Sequence, residues 1–164
     1  MVYKVHLEGI MKRNRAAKIR LTLDDQETFS TFDVLKILGL KRGRLRQWMD
    51  RGFITGFTVQ WGSGEKTLFG RVGLYHIELF RVLVDSGLNR AVSFQIKEHV
   101  DWMDVKHGAL KNLLIYYDDG EMRFIHLRGD SAGEDKNILE LVKTHRAGHF
   151  VNLRDVVERV DSKV

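Results

Sequence analysis

Residues 30–54 read STFDVLKILGLKRGRLRQWMDRGFI, a string that predicts two short helices joined by a tight turn. Ser30 can N-cap the first helix, and Asp33 falls in its first turn, where a carboxylate meets the positive end of the helix dipole. Val34, Leu35 and Leu38 mark one apolar face, and Gly39 stands where a helix end needs a left-handed residue. Gly43 opens the second helix, Leu45, Trp48 and Met49 keep the i, i+3, i+4 spacing within it, and Gly52 closes it. The link Leu40-Lys41-Arg42 has the length of a helix-turn-helix turn.

At 100° per residue the second helix separates two chemistries. Leu45, Trp48 and Met49 fall on one side; Arg46, Gln47, Asp50 and Arg51 face the other way, with Arg44 on the flank. Guanidinium forks and an amide on an exposed helix face are the groups that hydrogen-bond guanine and adenine edges or grip phosphates. An apolar back and an Arg/Gln front is what a helix lying in the major groove requires.

Working outward, Phe57 to Trp61 alternates, Gly62-Ser63-Gly64 makes a turn, and Glu65 to Phe69 returns, which predicts a β-hairpin wing carrying Lys66. Residues 73–86 are densely apolar, a helix buried on most sides and ended by Gly87; Asn89 can cap a further helix over residues 90–100. Beyond residue 105 two apolar runs, Leu113 to Tyr117 and Met122 to Leu127, flank Asp118-Asp119-Gly120-Glu121, a strong hairpin signal. A polar loop over 129–134, a helix around Ile138 to Val142, a strand at Phe150 to Leu153 and a last helix bearing Val156, Val157 and Val160 complete the reading. Upstream, residues 1–20 form a basic arm and Ala17 to Leu23 alternates as a short strand.

Charge divides along the same lines. Residues 1–71 hold 14 Lys/Arg against 7 Asp/Glu, a net of +7, whereas residues 101–164 hold 10 against 12, a net of −2. A basic first half joined to a mildly acidic second half suits a nucleic-acid binder with a separate sensing or assembly unit. Cysteine is absent, which removes disulfides, thiolate metal sites and Cys nucleophiles. No run of about 18 apolar residues or signal-peptide pattern occurs, so a cytoplasmic protein away from membranes is expected.

The stretch from Phe29 to Val100 resembles the DNA-binding domain of MerR-type transcription regulators. Leu45-Arg46-Gln47-Trp48 stands where that family has its Leu-Arg-aromatic-aromatic stretch, and Gly52-Phe53 where Gly-Leu ends the second helix. Leu68-Phe69 matches the end of the wing, and Asp85-Ser86-Gly87-Leu88 the link between the last two helices. Thr67, with Lys66 beside it, stands where the family carries a wing arginine, and no long dimerisation helix follows before Leu113. The resemblance implies a homodimer on a two-fold related site, with RNA polymerase as a further partner.

Other chemistries find little support. His145 and His149 are four apart with Gly148 between them and no third ligand nearby, while the remaining histidines are scattered. Asp118-Asp119 and Glu134-Asp135 fall in turns, Ser131 lacks a nucleophile-elbow pattern, and no phosphate-binding glycine loop occurs. The expectation is therefore a non-enzyme without cofactor or metal that binds double-stranded DNA sequence-specifically and regulates transcription. Its expected fold is a mainly α winged helix-turn-helix N-terminal domain with a β-hairpin wing, followed by a small α/β C-terminal domain. The expected units are a basic arm and strand (1–28), the winged domain (29–100), and a dimerisation or effector unit (101–164). Its expected DNA contacts are Lys41, Arg42, Arg44, Arg46, Gln47, Arg51 and Lys66. Two alternatives share the pattern: a protein-interaction module using the Phe53–Trp61 region, or an excisionase-like architectural factor that bends DNA.

Overall fold

The computed structural model describes residues 2–4, 27–128 and 148–164. The strand expected at 17–23, most of the basic arm, the loop at 129–134 and the helix near 138–142 lie outside them, as does His145.

Ser30 begins the first helix, α1 (Thr31–Leu38), with a full capping box: its hydroxyl accepts from the Asp33 amide, and the Asp33 carboxylate accepts from the Ser30 amide at 2.9 Å. Gly39, at φ 62°, turns the chain left-handed and lets Leu40 close back onto the Leu35 carbonyl. The second helix, α2, runs Arg42–Asp50, one residue earlier than glycine alone suggests, with Lys41 as an N-cap that makes no side-chain bond.

Three strands follow, two of them on local grounds. Strands β3 (Phe57–Trp61) and β4 (Gly64–Gly70) form the expected hairpin, but β2 (Thr28–Ser30) pairs antiparallel to the other side of β4. The wing is therefore two strands of a three-stranded sheet of order β2-β4-β3. Helix α3 (Arg71–Asp85) leaves β4 directly and buries Leu74, Tyr75, Ile77, Leu79, Phe80 and Leu83. Helix α4 (Arg90–Glu98) is capped by Asn89, whose side chain accepts from the Val92 amide at 2.9 Å. A further short helix, α5 (Trp102–Lys106), is capped by Asp101.

The second sheet is four-stranded, in the order β1-β6-β5-β7. Its hairpin, β5 (Asn112–Asp118) and β6 (Glu121–Leu127), turns through Asp119 at φ 50° and Gly120 at φ 79°, the two positive angles a tight two-residue turn needs. Strand β7 (Gly148–Asn152) pairs with the far side of β5, and β1 (Val2–Lys4) pairs with β6, Val2 opposite Ile125. The last helix, α6 (Leu153–Asp161), is capped by Asn152 and buries Leu153, Val156 and Val160.

The expectation of a mainly α winged domain ahead of a small α/β unit is corrected by this architecture. The chain is mixed α/β, with two antiparallel sheets and six helices among the described residues. Two strands of three residues each account for much of the difference. Neither β1 nor β2 is long enough to display a period of two, and both are strands because β6 and β4 supply their ladders. One cluster of buried side chains extends from Phe29 through Trp48, Phe80, Ile96 and Trp102 to Val160. Leu113, Ile115, Phe124 and Val151 join it from one face of the four-stranded sheet, whereas Leu114, Tyr116 and Leu127 cluster separately on the other.

Candidate nucleic-acid interface

Helix α2 owes its orientation to its apolar side. Leu45 and Trp48 are fully buried, and the Trp48 ring meets Phe80 of α3 edge-on with centroids 5.0 Å apart. Arg81 of α3 fixes the partner helix by donating to the Leu38 carbonyl at 3.2 Å, where α1 ends with unsatisfied carbonyls. Its other arm pairs with the buried Glu78 carboxylate at 2.5 Å. With the back of α2 anchored to α3, the front is fixed as well.

That front carries Lys41, Arg42, Arg46, Gln47 and Arg51, all exposed. Arg46 extends along the helix toward Asp50, Nε to Oδ2 3.7 Å, in an i, i+4 pair open to solvent. An exposed pair of this kind is worth only a fraction of a kcal/mol and yields readily to a stronger anion. Arg44 is placed differently. Its guanidinium lies over the Trp48 ring, 4.7 Å from the centroid, and is paired with Asp85 at the end of α3. This residue is a clamp between two helices, half-buried and already neutralised, rather than one of the open cations on the front.

Lys66 is exposed on β4, opposite Val59 of β3, and the neighbouring pair Gln60 and Glu65 is joined by a 3.3 Å side-chain hydrogen bond. Gly56 sets how closely the approach to β3 packs on β4: a Cβ there would lie 2.5 Å from the Leu68 carbonyl oxygen and 2.6 Å from Thr67 Cγ2. Of the apolar stretch that begins at Phe53, the first two residues turn inward. Phe53 stacks on Phe80 at 5.6 Å, and Ile54 is buried.

No family model matches the sequence, and no curated protein is significantly similar to it. Among the described residues no helix is long and apolar enough to cross a membrane, and no three His, Asp or Glu side chains converge as metal ligands would. Helix periodicity puts Arg44 on the flank of the front but cannot reveal its partner Asp85, which lies 41 positions away and on another helix. Phe32, at 74% the most exposed large apolar side chain among the described residues, stands in the first turn of α1, and no periodicity in the sequence marks it.

Proposed function

We propose that the chain binds double-stranded DNA through the front of α2 and the β3–β4 wing, and regulates transcription as a homodimer of MerR-like type in the cytoplasm. The observation that carries this reading is the division of α2. Arg42, Arg46, Gln47 and Arg51 are exposed whereas Leu45 and Trp48 of the same helix are fully buried, and Asp50 is the one acidic residue among them. Cationic forks and an amide on a rigidly backed helix suit base edges and the phosphates beside them. Lys41 at the helix start and Lys66 on the wing would hold backbone phosphates on either side, while Arg44, neutralised by Asp85, would keep α2 in place. The function needs no cofactor and no catalytic residue, and RNA polymerase would be a partner reached through the bound promoter.

Selection of bound sequences from random duplex DNA tests the proposal, because it reports binding, specificity and half-site symmetry together. An enriched motif with two-fold symmetry is the expected result. If about four to six phosphates are neutralised per protomer, log affinity falls with log salt at a slope near −0.9 per phosphate. A slope near zero together with no enriched sequence would remove the proposal.

A further inference from the structure

Strand β7 is the outermost strand of the four-stranded sheet: β5 pairs with one side of it, and among the described residues no strand pairs with the other. A row of open amides and carbonyls is a template for one more extended strand. The strand is firmly seated. Val151 is buried in the core, and Asn152 caps α6 by accepting from Arg154 at 3.0 Å and Asp155 at 3.4 Å. Gly148 lies so close to β5 that a Cβ there would stand 3.0 Å from the Ile115 carbonyl oxygen. We propose that β7 pairs antiparallel with β7 of a second copy of this chain, about a two-fold axis at Phe150, so that one sheet runs through the dimer. This inference gives the homodimer proposed above its interface; it rests on that part of the reading and not on the DNA contacts.

Three observations select a second copy as the occupant. First, free sheet edges are ordinarily blunted by charged side chains or proline. Residues 148–152 read GHFVN, with no Lys, Arg, Asp, Glu or Pro among them. In a register centred on Phe150, Gly148 meets Asn152, His149 meets Val151 and Phe150 meets itself, so the strand is its own complement and no like charges face each other. Second, Phe150 is 59% exposed at the middle of the strand. It stands opposite Leu114, on the sheet face where Leu114, Tyr116 and Leu127 form their own apolar cluster. A second Phe150 across the axis would cover this ring and carry the cluster into the other protomer. Third, the other free edges of the two sheets lack this combination. Strand β3 exposes the polar Thr58 and Gln60, and β2 and β1 are three residues each, the latter including Lys4.

Sedimentation equilibrium of the full chain without DNA tests the interface. The wild type is expected as a dimer. Phe150→Lys sets two ammonium groups face to face at an exposed position, and should dimerise at least about tenfold more weakly at unchanged Tm. Because the chain has no cysteine, single-cysteine variants give a second readout. A short bismaleimide should join Phe150→Cys protomers and leave Phe32→Cys, also exposed, unjoined. The proposal is overturned if the wild type is monomeric at about 0.1 mM, or if Phe150→Lys dimerises as tightly as the wild type. The second result would leave the homodimer standing on another surface; the first would remove both. Dissociation by Phe150→Lys of a dimer that selects no DNA sequence would support this interface while removing the DNA-binding reading.

Discussion

The phenol of Tyr75 donates a 2.7 Å hydrogen bond to Asp161 Oδ1, joining the helix that leaves the wing to the last helix of the chain. Arg71, the first residue of α3, reaches the same carboxylate at 3.3 Å and Glu27, next to β2, at 2.5 Å. The entry to β2, the exit from the wing and the end of α6 thus meet in one polar knot.

Burial, then the bond to Asp161, holds the Tyr75 phenol well above its ordinary pKa, so it stays a donor through the physiological range. Tyr75→Phe should cost about 1.5–3 kcal/mol, the worth of a hydrogen bond to a charged acceptor. Asp161→Ala should cost more, because it strands a buried hydroxyl and also takes a partner from Arg71, whereas Asp161→Asn keeps an acceptor and should fall between wild type and alanine. Urea midpoints read the order directly. Equal midpoints for the alanine and asparagine variants would show that the phenol does not depend on this acceptor.

Two partly buried imidazoles weaken the fold toward acid pH. Burial is the main cause holding both His76 and His126 down to about pKa 4, reinforced by Lys97 for the first and by His99 for the second. Between pH 6.5 and 4 the unfolded chain binds protons that the native chain refuses, so stability is fully present above about pH 6.5 and declines as pH falls toward 4. His76 accounts for a loss on the order of 3 kcal/mol across that window. His76→Phe should flatten the decline measured by denaturant titration from pH 7 to 4; an unchanged slope would mean that the ring is already charged in the native state.

Gly56 tests the close packing beside the wing. A methyl group there meets the Leu68 carbonyl oxygen and Thr67 Cγ2 well inside contact distance, and the carbonyl belongs to the strand shared by β2 and β3. Gly56→Ala should therefore cost about 1–3 kcal/mol, as overpacking does, and should shift the amide resonances of residues 66–69. Shifts confined to residues 55–57 would place the relief on the other side.

What the sequence made legible was local. The Ser30–Asp33 box, the Gly39 turn and the Asp119-Gly120 hairpin are each decided within a few residues, and the structure has all three. The orientation of α2 was legible too, since Leu45 and Trp48 alone set its buried side. What the sequence hid was carried by distant partners. Thr28–Ser30 is a strand only because β4 lies beside it, and Val2–Lys4 only because β6 does. The same holds for charge. Arg44 and Arg46 look alike in sequence, but Asp85 neutralises one from another helix while the other has only an exposed i, i+4 neighbour.

That contrast gives the prediction most worth testing. Arg46 and Gln47 are exposed and can be changed without touching the core. If α2 lies in the major groove, Gln47→Ala should cost about 1–3 kcal/mol at one base position and relax preference there. Arg46→Ala should weaken binding more evenly across sequences and flatten the salt slope by about one phosphate. Arg44→Ala should act through stability instead: it uncovers the Trp48 ring and releases Asp85, so its loss of DNA affinity should track the shift in Tm. Trp48→Ala marks the extreme, with about 3–5 kcal/mol of core packing removed. The four variants are read together by duplex binding at several salt concentrations and by thermal melting. An Arg44→Ala protein that melts like wild type yet loses salt-dependent affinity would return Arg44 to the DNA contacts. A Gln47→Ala protein that selects the same sequences as wild type would take base reading away from this face of α2.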